Sequence, residues 1–228
     1  MQQKANYQKQ LDELLKELEG SAAKPSLLLH ACCGPCSSYV LEYLSKYFQI
    51  TVLYYNPNIY PQAEYERRLA ELKKLYEVFQ PALNTGVKVV ECEYDPEQFY
   101  EAVGVRAEPE LAQEPEKGER CRRCYKLRLQ RAYEYATSNH FDYFCTSLSI
   151  SPFKDAVKIN ELGLEIESQH LANIDAVTTE TSEKSPKWLI SDFKKKGGFK
   201  RSLELSEEYG MYRQTYCGCV YSMKNKKD

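Results

Sequence analysis

Short apolar segments alternate with amphipathic segments along most of the chain, and this pattern predicts a mixed α/β fold. The apolar segments are continuous runs, which is typical of strands buried on both faces of a sheet. We place strands at 26–31, 50–56, 87–94 and 143–148. In the amphipathic segments, apolar residues recur every three or four positions, and Pro or Asp marks several helix starts. They predict helices at 5–19, 37–48, 61–80, from 96, at 121–139, 154–169 and near 202–209, with a polar loop at 104–120.

Strands that alternate with helices predict a Rossmann-like, doubly wound parallel sheet. We expect a single domain over 1–228. It comprises a peripheral N-terminal helix (1–25), the Rossmann-like core (26–170) and a helical or irregular C-terminal extension packed over the site (171–228). Ligands of such folds bind at the carboxyl ends of the strands, near the switch point. The loops after the first, second and fourth strands, which contain CCGPCSS, NPNIYPQAEYERR and TSLSISPFKD, are therefore the candidate site.

Composition and charge narrow the class of protein. The chain has 228 residues, of which 43% are hydrophobic and 28% charged, with a formal net charge of −2. No apolar run approaches the ~18 residues of a membrane span, and the polar N-terminus has no secretory signal. We therefore expect a cytoplasmic protein without a membrane partner. Nine cysteines in a reducing compartment then indicate metal binding or catalysis rather than structural disulfides.

Two clusters of cysteines together can hold a metal. Cys121 and Cys124 have the CxxC spacing that lets two thiolates bind one metal centre, and Cys32 and Cys33 can complete a four-thiolate site. With Cys36, these last two lie at or near a helix start, where the dipole lowers thiol pKa values. Four thiolates suit either zinc or an iron–sulfur cluster, so the residues leave both open. Cys33 and Cys36 also form a CGPC motif, which is typical of thiol–disulfide oxidoreductases.

The third cluster is a CxC pair, Cys217 and Cys219, separated by Gly218. A disulfide between these cysteines closes a tight ring that glycine accommodates, and strain makes such a disulfide easy to reduce. The pattern predicts a catalytic or regulatory redox pair. The alternative is that the two thiolates bind a second metal.

Basic residues crowd the helix predicted at 121–139. They are Arg120, Arg122, Arg123, Lys126, Arg128 and Arg131, with Glu119 as the one nearby acid. A second basic cluster comprises Lys194, Lys195, Lys196 and Lys200. Beside a metal site, such charge favours a phosphate-rich partner, namely nucleic acid, over an ordinary solvated helix face.

Other polar residues follow the ends of the predicted strands. Asp155, after the fourth strand, is a candidate catalytic acid or a helix cap. Tyr55 and Asn56, after the second strand, bind substrate or shape a turn. We interpret His30, at the end of the first strand, as a core histidine whose hydrogen bonding is satisfied.

In combination, five motifs resemble the QueH-type epoxyqueuosine reductases over about residues 26–222. They are HACCGPCSS, YNPNIYP with EYERR, GERCRRCYKLRL, TSLSISPFKD and YRQTYCGCVYS. The resemblance implies a fold similar to the adenine-nucleotide alpha-hydrolase group. It also implies reduction of the epoxide of epoxyqueuosine at the wobble position of tRNA, the last step of queuosine synthesis, without cobalamin.

The resemblance further implies roles for particular cysteines. Cys32, Cys33, Cys121 and Cys124 look like the ligands of a [4Fe-4S] cluster, and Cys217 with Cys219 looks like the redox-active pair. Cys36 fits the motif and would hold an additional iron or face the substrate.

Conversion of an epoxide to an alkene needs two electrons and two protons, and it releases water. We hypothesise that the CxC dithiol stores electrons from an external donor and that Asp155 or a tyrosine protonates the leaving oxygen. The basic helix, through Arg122, Arg123, Lys126 and Arg128, would hold the anticodon stem-loop. Two other functions stay open: a thiol–disulfide oxidoreductase that uses CGPC, and a zinc-dependent RNA-binding module.

Overall fold

The alternation of strands and helices builds one parallel sheet flanked by helices. The computed structural model describes residues 6–21, 23–177 and 185–224. Residue 5, where the first predicted helix begins, lies outside the described residues. So do two parts of the predicted C-terminal extension, 178–184 and 225–228. The four predicted strands are all present, and the α/β class is confirmed.

The strands are β1 (Ser26–His30), β2 (Gln49–Tyr54), β3 (Lys88–Glu91), β4 (Tyr143–Thr146) and β5 (Lys187–Trp188). They pair in parallel in the order β3-β2-β1-β4-β5. The apolar run Leu27–Leu29 of β1 is fully buried, as expected for a central strand covered on both faces. From β1 the chain first builds one side of the sheet and then crosses over to build the other. The switch point therefore lies between β1 and β4, whose last paired residues are His30 and Thr146.

The helices are α1 (Tyr7–Leu18), α2 (Gly34–Leu44), α3 (Gln62–Tyr76), α4 (Gln80–Thr85), α5 (Pro96–Val103), α6 (Glu119–Ser138), α7 (Ala156–Val177), α8 (Gly198–Glu208) and α9 (Val220–Lys224). Helix α5 begins as predicted, because Asp95 accepts a hydrogen bond from the backbone N–H of Glu97 at 3.0 Å. Among the described residues, no helix combines the length and the apolar character needed to cross a membrane.

Several boundaries differ from the prediction for local reasons. The helix predicted over 61–80 ends at Tyr76, and a separate helix starts at Gln80 with Pro81 in its first turn. A proline favours a new helix start because it lacks the N–H that a helix interior needs. The predicted loop contains a short 3₁₀ helix at Pro109–Gln113, and α6 starts two residues earlier than predicted. Strand β5 and helix α9 are too short to produce a periodic signal.

The two residues of β5 add Trp188 to the core. Its ring packs against Phe144 with centroids 5.1 Å apart, and its Nε1 donates to Asn160 Oδ1 at 3.0 Å. Gly163 of α7 passes so close that a Cβ there would lie 2.2 Å from the Trp188 ring. The glycine inside this helix is therefore explained by close packing of helix on strand.

Candidate active site

A cavity of about 370 Å³ opens at the switch point of the sheet. It is bounded by the loop after β1, the segment after β4, the first turns of α8 and the loop at 213–217. Its polar lining includes Cys32, Cys36, Glu116, Lys154, Gln214 and Cys217. The cavity thus unites two of the three predicted loops with the CxC segment, which is distant in sequence.

Three thiols meet where β1 turns into α2. Cys33 is the extended N-cap residue of α2, so Cys32, Cys33 and Cys36 cluster around the positive end of that helix. All three sulfurs lie within 4.8 Å of one another, and the Cys32 and Cys33 sulfurs are 3.8 Å apart. In the part of the chain that the structure describes, this is the group of three with the spacing of metal ligands. Cys36, which had no firm assignment, belongs to it.

The neighbours of one of these thiols lower its pKa. Hydrogen bonds from Cys33 and Cys36 hold the pKa of Cys32 well below its ordinary value, although burial opposes this; the nearby charges of Arg128 and Arg68 help. The hydrogen bond to Cys32 raises the pKa of Cys33 to about 12. Gln214 Nε2 donates to the Cys33 sulfur at 3.1 Å. The loop at 213–217 is thereby tied to the thiol cluster.

The CxxC thiols are buried in the first two turns of α6. Arg128, one turn further along, donates from Nε to the carbonyl oxygen of Cys124 at 3.3 Å. Its charge also acts on Cys32, Cys124 and Cys217, one thiol from each of the three cysteine clusters. The structure therefore brings Cys121 and Cys124 to the same end of the sheet as the three thiols that follow β1.

The surroundings of these thiols fit a bound metal centre. Arg128 Nη2 and the Tyr125 hydroxyl are buried with no hydrogen-bond partner among the residues that the structure describes. Buried donors are nearly always satisfied, so two such donors beside Cys124 indicate room for an acceptor group. Thiolates clustered near a buried cation are a suitable donor set for zinc or an iron–sulfur cluster.

The CxC thiols are unequal in exposure. Cys217 is half-buried and lines the cavity, whereas Cys219 is 7% exposed and packs with Phe99, Val103 and Cys124. Each thiol lies within hydrogen-bonding reach of the other, and both are free thiols in this structure. Of the pair, Cys217 is the thiol that a molecule in the cavity meets.

Gly218 has a backbone conformation that its position requires. Its φ is +125°, and its carbonyl oxygen accepts from the backbone N–H of Tyr60 at 2.8 Å. A Cβ at this position would lie 3.1 Å from both Arg68 Nη1 and Ile59 Cγ1. The glycine predicted from ring strain is thus also needed for close contact with the loop after β2.

Lys154 was not among the predicted site residues. It lies on the segment after β4, is 7% exposed, and donates from Nζ to the Cys217 sulfur. A hydrogen bond from Cys219 is the largest influence that holds the pKa of Cys217 well below its ordinary value, and the charge of Lys154 adds to it. A buried ammonium therefore lies against the cavity-facing sulfur, where its positive charge favours the thiolate form.

Arg68 of α3 was also missed. It is 1% exposed, and its Nε pairs with Glu64 at 2.7 Å. Its Nη1 and Nη2 donate to the carbonyl oxygens of Cys217 and Tyr216 at 3.3 and 3.4 Å. Glu64 in turn accepts from the Tyr212 hydroxyl at 3.0 Å. The EYERR motif thus anchors the CxC segment, and its two adjacent arginines were the only available signal.

The predicted polar residues at the strand ends have mainly structural contacts. Asp155 accepts from the backbone N–H groups of Val157 and Lys158 at 3.0 and 3.2 Å, so it caps α7. The Tyr55 hydroxyl donates to Gln98, and Asn56 Nδ2 donates to the carbonyl oxygen of Ala31. None of the three lines the cavity among the described residues.

The predicted basic face is largely neutralised by the protein's own acids. Arg122 and Lys126 both pair with Glu165, at 3.7 and 2.9 Å, and Arg123 pairs with Glu108 at 2.6 Å. Arg128 is buried among the thiols. Arg122 and Lys126 keep about half-exposed side chains, so their contact with nucleic acid stays a prediction.

Comparison with known proteins bears directly on this site. A family model described as epoxyqueuosine reductase QueH matches residues 27–225. Three proteins of that name are similar to this chain. That of Streptococcus pyogenes serotype M1 is 39% identical over 222 residues, covering 97% of this chain and 80% of the relative. That of Staphylococcus epidermidis is 38% identical over 220 residues, covering 96% of this chain and 85% of the relative. That of Thermotoga maritima is 29% identical over 207 residues, covering 89% of this chain and 93% of the relative.

Proposed function

The chain belongs to the epoxyqueuosine reductase QueH family, a family of oxidoreductases, and from this premise we propose that it converts epoxyqueuosine to queuosine at the wobble position of tRNA, without cobalamin. The observation that carries this proposal is the juxtaposition of two thiol sets at one cavity. Cys32 and Cys36 of the first set and Cys217 of the second all line it. A reduction by two electrons needs such a store of reducing equivalents beside the substrate.

The size of the cavity supports a single modified base as the group that enters. A volume of about 370 Å³ lies at the lower end of the range for small-ligand sites. A base that reacts in such a pocket must leave its stack, and in RNA this occurs most readily in single-stranded loops. Phe153 stands at the cavity and is 64% exposed, which suits it to stack on a neighbouring base of the anticodon loop.

We propose that Cys32, Cys33, Cys121 and Cys124 hold a [4Fe-4S] cluster. When bound, the cluster supplies single-electron transfer from an external donor. Arg128 balances part of the negative charge of the thiolates, and the unpartnered Tyr125 hydroxyl offers a further donor. Cys36, whose sulfur lies with those of Cys32 and Cys33, is available for an additional iron or for contact with the substrate.

The chain's own residues bind and orient the substrate and hold the protons. Lys154 donates to the Cys217 sulfur at the cavity wall, and Glu116 is a carboxyl that lines the same cavity. Burial raises the pKa of Glu116 above its ordinary value. Arg68 and Gln214 hold the 213–217 loop in place over the cavity. The base is thereby enclosed between the loop after β4 and the CxC segment.

The decisive experiment uses anaerobically purified protein and tRNA that contains epoxyqueuosine, without cobalamin. We expect queuosine in the digested tRNA by mass spectrometry, and a Mössbauer spectrum of a [4Fe-4S] cluster. Cys33→Ala and Cys121→Ala should lose cluster and activity together. Cys92→Ala is the matched control, because Cys92 is a half-buried cysteine outside the cavity. A colourless protein with stoichiometric zinc and no queuosine would refute the proposal, as would full activity in either cluster variant.

A further inference from the structure

We propose that Cys217 opens the epoxide by forming a covalent bond to the substrate, that Lys154 protonates the epoxide oxygen, and that Cys219 then releases the product by forming a disulfide with Cys217. This inference rests on the proposed function, and it assigns the chemical steps to three residues of this chain. It replaces Asp155 by Lys154 as the proton donor.

The unequal placement of the two thiols supports different roles. Cys217 lines the cavity, so its sulfur is the one that can reach a carbon atom of the substrate. Cys219 lies behind it, packed with Phe99 and Val103, and its sulfur is 3.7 Å from the Ser222 hydroxyl. Both thiols are within reach of each other. A buried second thiol that is absent from the described cavity lining but within reach of the first is placed to attack the first sulfur and not the substrate.

Lys154 is placed to follow the negative charge as the reaction moves it. Its ammonium is buried and donates to the Cys217 sulfur, which is its counter-charge in the resting protein. When that sulfur bonds to carbon, the charge passes to the epoxide oxygen, and the ammonium is left without its partner. A buried unpaired cation is costly, and the charge of Arg128 nearby adds to this cost. Transfer of a proton from Lys154 to the oxygen removes both charges.

The two steps balance in atoms, electrons and protons. In the first, the Cys217 thiolate forms a C–S bond, one C–O bond breaks, and the oxygen takes a proton from Lys154 to become a hydroxyl. In the second, the Cys219 thiol passes its proton to Lys154 and its sulfur forms an S–S bond with Cys217. The C–S electron pair becomes the new C=C bond, the second C–O bond breaks, and the hydroxyl leaves as water with the proton from Lys154. The two thiols supply both electrons.

The geometry of epoxide opening agrees with the second step. Attack on an epoxide carbon occurs from the face opposite to the oxygen, so sulfur and hydroxyl end on opposite faces of the five-membered ring. This anti arrangement is the one that elimination to an alkene requires. A single attacking thiol and a separate releasing thiol are therefore sufficient, and the disulfide is the oxidised product that the external donor must reduce.

The test uses anaerobic, reduced holoenzyme and tRNA containing epoxyqueuosine, in a single turnover without added reductant. Cys219→Ser should accumulate a one-to-one covalent complex with the tRNA. Digestion and mass spectrometry should place the adduct on Cys217, and dithiothreitol should release queuosine from it. Cys217→Ser should give no adduct. The double variant Lys154→Met with Cys219→Ser should form the adduct at least ~100-fold more slowly than Cys219→Ser alone. The control Cys92→Ser should behave as the wild type.

A second measurement guards against a folding defect in the variants. Wild-type protein should form one disulfide between Cys217 and Cys219 for each queuosine produced, as measured by differential alkylation. Queuosine formation with both thiols still free, and without adduct in Cys219→Ser, would overturn the inference while the proposed function stands. A wild-type protein that makes no queuosine at all would instead refute the proposed function, and this inference with it.

Discussion

Replacement of Arg68 by Met tests whether this buried side chain holds the CxC segment. The guanidinium is enclosed between α3 and the 216–218 turn, where it makes an ion pair with Glu64 and hydrogen bonds to two carbonyl oxygens. Met has a similar length and an apolar stem, so the change removes the charge and the donors with little loss of packing. Glu64 keeps its hydrogen bond from the Tyr212 hydroxyl.

The expected loss of stability follows from these contacts. Removal of one partner from a buried ion pair costs about 3–5 kcal/mol. The Glu64 side chain retains 11% exposure and a second donor, which favours the lower end of that range. The two carbonyl hydrogen bonds, at 3.3 and 3.4 Å, are longer than ordinary ones, and each adds at most about 1 kcal/mol. We expect a decrease of about 3–5 kcal/mol in the free energy of unfolding.

Urea unfolding measures this global effect, and alkylation of Cys219 by N-ethylmaleimide under native conditions measures the local one. Cys219 should react at least ~10-fold faster in Arg68→Met, because the turn that covers it is released. Arg67→Met is the matched control. Arg67 is exposed and stacks on the Tyr212 ring at 3.4 Å, so its loss should cost no more than about 1 kcal/mol. Equal stability and equal alkylation rates for the two variants would refute the anchoring role.

Three further predictions concern two glycines in tightly packed or strained positions and the pH dependence of a buried histidine. Gly218→Ala should lower stability by about 1–3 kcal/mol in urea unfolding, because its φ of +125° strains any other residue. Gly163→Ala should displace the ring of Trp188, the only Trp in the chain, and shift its fluorescence to the red. Burial lowers the pKa of His30 to about 4, so the unfolded chain takes up a proton below about 6.5 that the folded chain refuses. The free energy of unfolding of the metal-free protein should thus fall by about 3 kcal/mol between pH 6.5 and pH 4. The His30→Phe variant should not show this decrease.

Much of the fold was predictable because its signals are local. The run Leu27–Leu29 predicts a buried strand from neighbouring residues alone, and the Asp95 cap predicts the start of α5 in the same way. The switch point then follows from the order of strands and helices. The interpretation of His30 as a satisfied core histidine is confirmed, since its ring nitrogens contact the Thr146 hydroxyl and the carbonyl oxygen of Tyr55.

The electrostatic partners in the site were not predictable, because they depend on contacts between distant segments. Lys154 and Cys217 are 63 residues apart, and Arg68 and Cys217 are 149 apart. Within its own motif, each cation is an ordinary charged residue. The same limit applies to the prediction for the basic helix, which weighed its cations against acids close in sequence and counted one. The fold adds Glu108 and Glu165 from elements outside that helix.

The two thiol sets are held in different ways, and this difference argues for the division of roles proposed above. Cys33 and Cys121 lie at the starts of α2 and α6, where the helical backbone fixes their positions. Metal ligands need such fixed positions, because a bound metal sets its ligand distances. Cys217 lies on a turn that is held by Arg68 and by the backbone hydrogen bond from Tyr60 to Gly218, and Cys219 directly precedes α9. A pair that alternates between free thiols and a disulfide must change the distance between its sulfurs. Because Cys217 lies on the turn and not on a helix, its sulfur can move relative to that of Cys219, whereas two thiols fixed at helix starts would resist this change.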